Sequence, residues 1–454
     1  MIVEDRPESW SVLWTRSHRT TTIASLLVVT LVAFESMGVA TAMPTMVAAL
    51  RGQSLYSWPF LAFLVASVVA TVLSGRICDR GRGLAGSLLA GPAIFAGGLL
   101  VCGAARNMPM LLAGRVLQGL GSGTVLVAVS LLIALVFTDR ERPVMYAANA
   151  AAWILPAVAG PFVAGLVTER LGWRWVFLGL VPLALLGLGL LVPVARRLGP
   201  RRRTDGRRRA GVLVAAAAAL GVTALTWAAQ HPSASAVAYA TIGVVALAFA
   251  LRNLLPSGTL TARPGLPTVI ASRALLGGAF AGLEAYLPLT MAEVHGYSPA
   301  LAGLPLTVNA LGWSAASAVQ GRHPDWSREA ALRTGFGLLA LALVIFAFVS
   351  QPWFPGWAAF PGCAIAGAGM GTAYPSLSLL LLRFSPVAER GFNTSALQLA
   401  DWVFSAVTVG FGGVLLGLVA SARHPSAAMT VLAVCLAGVA LLGVFVTRRW
   451  PAHG

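Results

Sequence analysis

The chain contains no lysine. All 32 of its basic residues are arginine, and only 15 positions are acidic. Charged residues make up 10% of 454, against roughly 25% in a soluble globular chain. So few charges cannot cover a water-facing surface of this size, which excludes a soluble enzyme and a disordered chain. Without lysine no Gly-x-x-x-x-Gly-Lys-Ser/Thr phosphate loop exists, so direct drive by a nucleoside triphosphate has no seat. Cysteine is scarce as well. Cys78, Cys102, Cys363 and Cys435 lack metal-ligand spacing and read as small apolar residues, not as a disulfide scaffold. The six histidines fall in tails, loops or span edges. No metal site, no cofactor and no catalytic loop with paired carboxylates is expected.

What is present is apolar surface. Hydrophobic residues are 57% of the chain, and mean hydropathy is +0.81. A spanning helix needs about 20 mostly apolar residues. Fourteen such stretches are predicted, at 22–42, 57–75, 84–105, 109–136, 144–167, 174–194, 210–229, 235–251, 267–291, 299–320, 330–350, 356–381, 393–419 and 427–446. They read as largely continuous, although Gly (49) and Pro (26) are frequent. Residues 1–21 are polar, so no cleavable leader is expected.

Arginine placement sets the orientation. With the N-terminus inside, the cytoplasmic segments hold 25 arginines and the external loops 5, leaving Arg115 and Arg273 inside spans. Both termini are then cytoplasmic, in a multi-pass protein of the plasma membrane. The bias also explains the net charge of +17 without nucleic acid. Its densest run comprises Arg196, Arg197, Arg201, Arg202, Arg203, Arg207, Arg208 and Arg209. No aromatic interleaves it, so it reads as a topology determinant touching anionic lipid head groups.

The chain repeats itself. Gly75, Arg76, Asp79 and Arg82 are echoed by Gly321, Arg322, Asp325 and Arg328, at an offset of 246. Phe137, Thr138, Glu141 and Arg142 are echoed by Phe384, Ser385, Glu389 and Arg390 at a similar offset. The expected organisation is a tail (1–21), a first six-helix bundle (22–194), an Arg-rich loop (195–209), an inserted helix pair with its loop (210–266), a second six-helix bundle (267–446) and a tail (447–454). An all-α membrane protein of two six-helix bundles plus two inserted central helices should enclose a cavity between its halves.

Ionisable residues inside spans cost roughly 2.5–3.5 kcal/mol on insertion scales and are functional candidates by default. Glu35, Arg115, Arg273, Glu284 and Asp401 qualify. Lipid disfavours the charged form of Glu35, which suits a reversible proton carrier, with Asp401 and Glu284 as further candidates. Arg115 cannot readily shed its charge and needs a buried counter-charge or several carbonyl acceptors; Gln118 lies one turn on. Gly160 and Pro161 remove a backbone donor and should kink the fifth span. Tyr286, Trp313 and Trp402 are expected to face the cavity, with Asn149, Asn309, Gln398 and Gln118 as polar partners.

Five motifs resemble the major facilitator superfamily, and specifically its fourteen-helix drug:proton antiporter branch. The stretch from Phe34 and Glu35 to Pro44 looks like the family's first-span signature. Residues 75–82 resemble its Gly-x-x-x-Asp-Arg-x-Gly-Arg loop. Arg115, Gln118, Gly119 and Gly121 match its fourth-span Arg-x-x-Gln-Gly-x-Gly. Residues 160–165 are similar to its fifth-span antiporter motif, and Trp173, Arg174 and Trp175 to its run into span six. Position 156, usually glycine in the family, is Pro156. The resemblance implies proton-driven export of small hydrophobic or cationic compounds by alternating access, not enzymatic chemistry. It assigns proton coupling to Arg115 with Glu35. It assigns gating to Gly75, Asp79 and Arg80, and export direction to the Gly160–Pro161 segment. The implied partners are a small-molecule substrate, protons and membrane lipids, with the chain a monomer. The alternatives are a proton-coupled importer of a metabolite and a lipid-translocating transporter of the same fold.

Overall fold

The structure is a computed structural model that describes residues 10–78, 83–138, 140–198, 210–230, 235–323, 325–386, 389–419 and 425–448. Asp79, Arg80 and the run from Arg201 to Arg209 lie outside these residues. Among the described residues there is no strand. The helices in chain order are α1 (Arg19–Ala49), α2 (Trp58–Cys78), α3 (Gly83–Gly103), α4 (Met108–Val136), α5 (Arg142–Ala151), α6 (Ile154–Arg170), α7 (Arg174–Leu178), α8 (Val181–Arg197), α9 (Ala210–Gln230), α10 (Ala236–Leu254), α11 (Leu266–Glu293), α12 (Pro299–Arg322), α13 (Arg328–Val349), α14 (Ala359–Phe384), α15 (Arg390–Val419) and α16 (Ser426–Arg448). With α5–α6 and α7–α8 each forming one broken span, the passes number fourteen, as the sequence predicts. Twelve meet the length and apolarity of a membrane span outright. Helix α12 falls short in apolarity because it carries Asn309, Ser314, Ser317 and Gln320, and helix α9 adds a further apolar stretch, Leu213–Ala228.

The fifth span is broken upstream of the expected kink. Helix α6 runs unbroken through Pro161, and the break falls at Ala152 and Trp153. Pro156 explains it, because its ring nitrogen cannot donate to the carbonyl four residues back, that of Ala152. The freed carbonyl instead accepts the Thr30 hydroxyl of α1 at 3.2 Å. In lipid a carbonyl released by proline must find such a neighbour. The sixth span is likewise split just before Pro182.

Glycine ladders set the helix packing. Helix α4 lies against α2 and α3. A Cβ on Gly121 would come within 2.5 Å of the Phe95 nitrogen, and one on Gly123 within 3.1 Å of the Thr71 nitrogen. Helix α14 repeats this against α12 and α13: a Cβ on Gly369 would come within 2.7 Å of the Gly335 carbonyl, and one on Gly371 within 3.1 Å of the Ser317 nitrogen. Gly119, Gly121 and Gly123 thus correspond to Gly367, Gly369 and Gly371, and their contacts Phe63 and Ser67 on α2 to Asn309 and Trp313 on α12. The two sets of six helices share one packing plan at close backbone approach.

Several contacts joining the two sets lie toward the side away from the termini. Gly165 of α6 abuts Pro299 and Ala300 of α12, and Gly303 of α12 abuts Pro161 and Thr41. The Tyr56 hydroxyl donates to the Ala285 carbonyl at 2.9 Å. Helix α9 wedges between α2 and α15; its Gln230 accepts from the Trp58 indole at 2.7 Å. The two best-formed cavities, one among α11, α13 and α14 and one among α2, α9 and α15, hold about 10 Å³ each, room for at most one water.

Gly121→Ala should lower the thermal unfolding midpoint, corresponding to about 1–3 kcal/mol of overpacking. Gly97→Ala, where an added Cβ meets nothing within 4 Å, should leave it unchanged or raise it slightly. Equal midpoints for the two variants would mean that α3 and α4 do not approach this closely.

Candidate functional site

Two buried ion pairs stand in the membrane interior, one in each set of helices. The first joins α1 to α4. Glu35 is fully buried, and Arg115 is 2% exposed. Arg115 Nη1 donates to Glu35 Oε1 and, at 2.9 Å, to Gln118 Oε1. Its Nε donates to the Pro59 carbonyl at 3.1 Å, and the guanidinium lies 4.5 Å from the centre of the Phe63 ring. Gly98 and Gly114 let α3 come close enough for Cys102 to donate to Gln118 Oε1 at 3.5 Å. Glu35 Oε2 is buried with no hydrogen-bond partner among the described residues. The carboxyl group therefore has one oxygen fixed by a cation and one free for a proton.

The second pair joins α11 to α15. Arg273 Nε donates to Asp401 Oδ2 at 2.9 Å, and the guanidinium lies 3.2 Å from the centre of the Tyr374 ring. Tyr374 in turn packs on Trp313, ring centres 5.3 Å apart, and Trp313 on Phe280 at 5.6 Å. Asp401 approaches the α11 backbone at Gly277, where a Cβ would overlap Oδ1. Sequence reasoning placed Arg273 and Asp401 separately and missed their pairing. The signal was two opposite charges left over in spans of the same half.

The remaining candidates scatter. Glu284 is half-buried on α11, with no hydrogen bond or ion pair among the described residues, and Cys363 is its neighbour. Cys363 stands four residues before Gly367, as Arg115 stands four before Gly119; the second half thus lacks the repeat counterpart of that arginine. Tyr286 is fully buried, and its hydroxyl donates to the Val409 carbonyl at 2.5 Å. Its ring lies 5.5 Å from Tyr56, in the contact between the halves. Trp402 faces α2 and α9 beside Leu64 and Val222. Asn309 is buried against Gly367, its Oδ1 without a partner, and Asn149 and Gln398 are half-buried. Gly75 has open space around it, while Gly160 and Pro161 lie in the α6 seam beside α1 and α12.

A terminus-side contact joins helix ends outside the spans. The Thr138 backbone N–H donates to Glu141 Oε2 at 2.8 Å, which holds that carboxyl below its ordinary range. Its other oxygen lies 3.9 Å from His18.

The Major Facilitator Superfamily family model matches residues 25–407. The chain belongs to that superfamily. It is 37% identical over 178 residues to the Acurin A biosynthesis cluster MFS-type transporter of Aspergillus aculeatus, covering 39% of this chain and 32% of that protein. It is 31% identical over 191 residues to the multidrug transporter protein MdtP of Bacillus subtilis, covering 42% and 34%. The chain thus spans about a third of the length of the curated relatives it matches. Among solved structures, an auto-inhibited POT family peptide transporter superposes with a TM-score of 0.73 at 14% identity, covering 95% of this chain and 98% of that one. A D-xylose–proton symporter superposes at 0.67 and 15%, covering 95% and 98%. The solved structures show the fold alone; the family model and the spanning helices make the chain a multi-pass membrane protein.

Arg115→Gln should destabilise the protein by about 3–5 kcal/mol, because it strands a buried carboxylate. Adding Glu35→Gln to that variant should restore much of the loss. A double-mutant cycle on thermal unfolding reads the coupling; additive effects would mean that the pair does not form.

Proposed function

We propose that the chain is a proton-coupled exporter of small hydrophobic or cationic compounds, of the fourteen-helix drug:proton antiporter kind. It works as a monomer by alternating access in the plasma membrane, with both termini cytoplasmic. The observation that carries the reading is Glu35, sealed from solvent with one oxygen on Arg115 and the other without a partner. Protonation there quenches the counter-charge of Arg115 and loosens the tie between α1 and α4. Loss of the proton restores the tie. A substrate that prefers one of the two states is then coupled to the proton, because each ligand biases the same equilibrium.

Other features support this reading. The seam of Pro161 and Gly165 against Gly303 and Ala300 puts the fifth-span motif at the contact about which two halves would rock. The contacts on the far side from the termini, with the arginine bias, describe a state closed to the exterior. Asp79 and Arg80 would form the cytoplasmic gate by resemblance, and the basic run from Arg196 to Arg209 would rest on anionic head groups. Relatives named as efflux pumps or multidrug transporters favour export over import.

The test is purified protein in liposomes holding a pH-sensitive dye, given a pH gradient and a panel of lipophilic cations and antibiotics. Substrate-dependent proton flux is expected, falling to the level of empty liposomes in Glu35→Gln. Unchanged flux in that variant would move the carrier to Glu284 or Asp401. Absence of flux with every compound would overturn proton-coupled export.

A further inference from the structure

Arg273 is an arginine with a donor to spare. It is 2% exposed, yet its Nη1 is buried without a hydrogen-bond partner among the described residues. Arg115, in the same membrane interior, spends its Nε on Pro59 and its Nη1 on Glu35 and Gln118. An unmet donor on a buried cation is unfavourable in low dielectric, and a guanidinium fork is shaped to take a carboxylate. Asp401 occupies Nε alone. Its side chain is 11% exposed, so the pair borders accessible space. Below the guanidinium lies Tyr374, then Trp313, both half-buried, then Phe280. Three helices thus contribute one aromatic cluster beside one buried, unpartnered cationic donor. Arg273 sits about 10 Å along α11 from Leu266, inside the bundle.

We propose that this cluster is a recognition subsite for amphiphilic carboxylates, with Arg273 Nη1 taking the carboxylate and the rings of Tyr374 and Trp313 taking a flat apolar body. It extends the substrate range proposed above to organic anions, and it rests on the export reading only for the direction in which the ligand moves. Asp401 competes with the ligand for one guanidinium. Gly277 keeps that competitor against the α11 backbone, since a Cβ there would displace Asp401.

Equilibrium dialysis of 2-naphthoate and its neutral amide, 2-naphthamide, against the protein in lipid nanodiscs at neutral pH tests the subsite, with empty nanodiscs as blanks. The wild type should bind the acid about tenfold more tightly than the amide, the range of one charge-assisted hydrogen-bond pair. Arg273→Lys keeps a cation opposite Asp401 and so the buried pair, but offers no fork; its preference should fall to about twofold or less. Asp401→Asn removes the competitor and should tighten the acid while leaving the amide unchanged. Equal binding of acid and amide by the wild type, binding of neither, or a preference that survives in Arg273→Lys overturns the subsite. The readout involves no transport and no gradient, so such a result leaves proton-coupled export standing. Absence of proton flux would overturn export and leave the subsite.

Discussion

Glu35 and Arg115 meet where no water can reach either of them, and much of the first set of helices is arranged to permit it. A carboxylate or a guanidinium alone in hydrocarbon is too costly to keep. Together they need close geometry and further hydrogen bonds, which Gln118 and the Pro59 carbonyl supply to the guanidinium. That geometry in turn needs α2, α3 and α4 at near contact, which is what Gly98, Gly114, Gly119 and Gly121 allow. The glycines of the fourth span and its arginine are therefore parts of one device. The small residues bring backbones together, and the charge uses the carbonyls and side chains that arrive.

The second set reuses the backbone plan and changes the chemistry. Gly367, Gly369 and Gly371 hold α14 against α12 and α13 as their counterparts hold α4. At the place of Arg115, however, stands Cys363, with Glu284 beside it. The cation has moved to α11 as Arg273 and found Asp401 on α15. An inherited packing frame thus constrains where helices run while leaving the charged residues free to relocate.

The span count, the two related halves and the five interior ionisable residues were legible in the sequence, because lipid imposes length, apolarity and a penalty on charge that composition displays directly. The Glu35–Arg115 tie was legible only through the family resemblance, which couples the two residues; the charges alone left carbonyl acceptors as an equal answer for Arg115. The Arg273–Asp401 tie was not, because 128 residues separate the two and no motif surrounds Arg273. The break in the fifth span is written in Pro156, whereas the segment at Pro161, where a kink is expected, packs against α12. Tyr286 shows the limit of residue type as a guide: an aromatic in a span suits a cavity, a lipid face or a helix contact, and only packing assigned it to the last.

The difference between the two ion pairs bears on how a two-state carrier divides its labour. In the first pair the guanidinium engages through Nε and Nη1 and the carboxyl keeps one oxygen without a partner among the described residues, so what remains to be added there is a proton. In the second the carboxylate borders accessible space and the cation keeps one free nitrogen, so what remains to be added is an acceptor. On the proposed reading, a proton on Glu35 would release Arg115 from α1, and an acceptor on Arg273 would draw it from Asp401 and so from α15. Each event acts on a central helix of its own half, α1 or α11, and these two helices touch one another. Coupling between halves then requires no relay through the lipid-facing helices. It requires only that a change in how α1 is held alter how α11 packs against it, across a contact that both ligands bias.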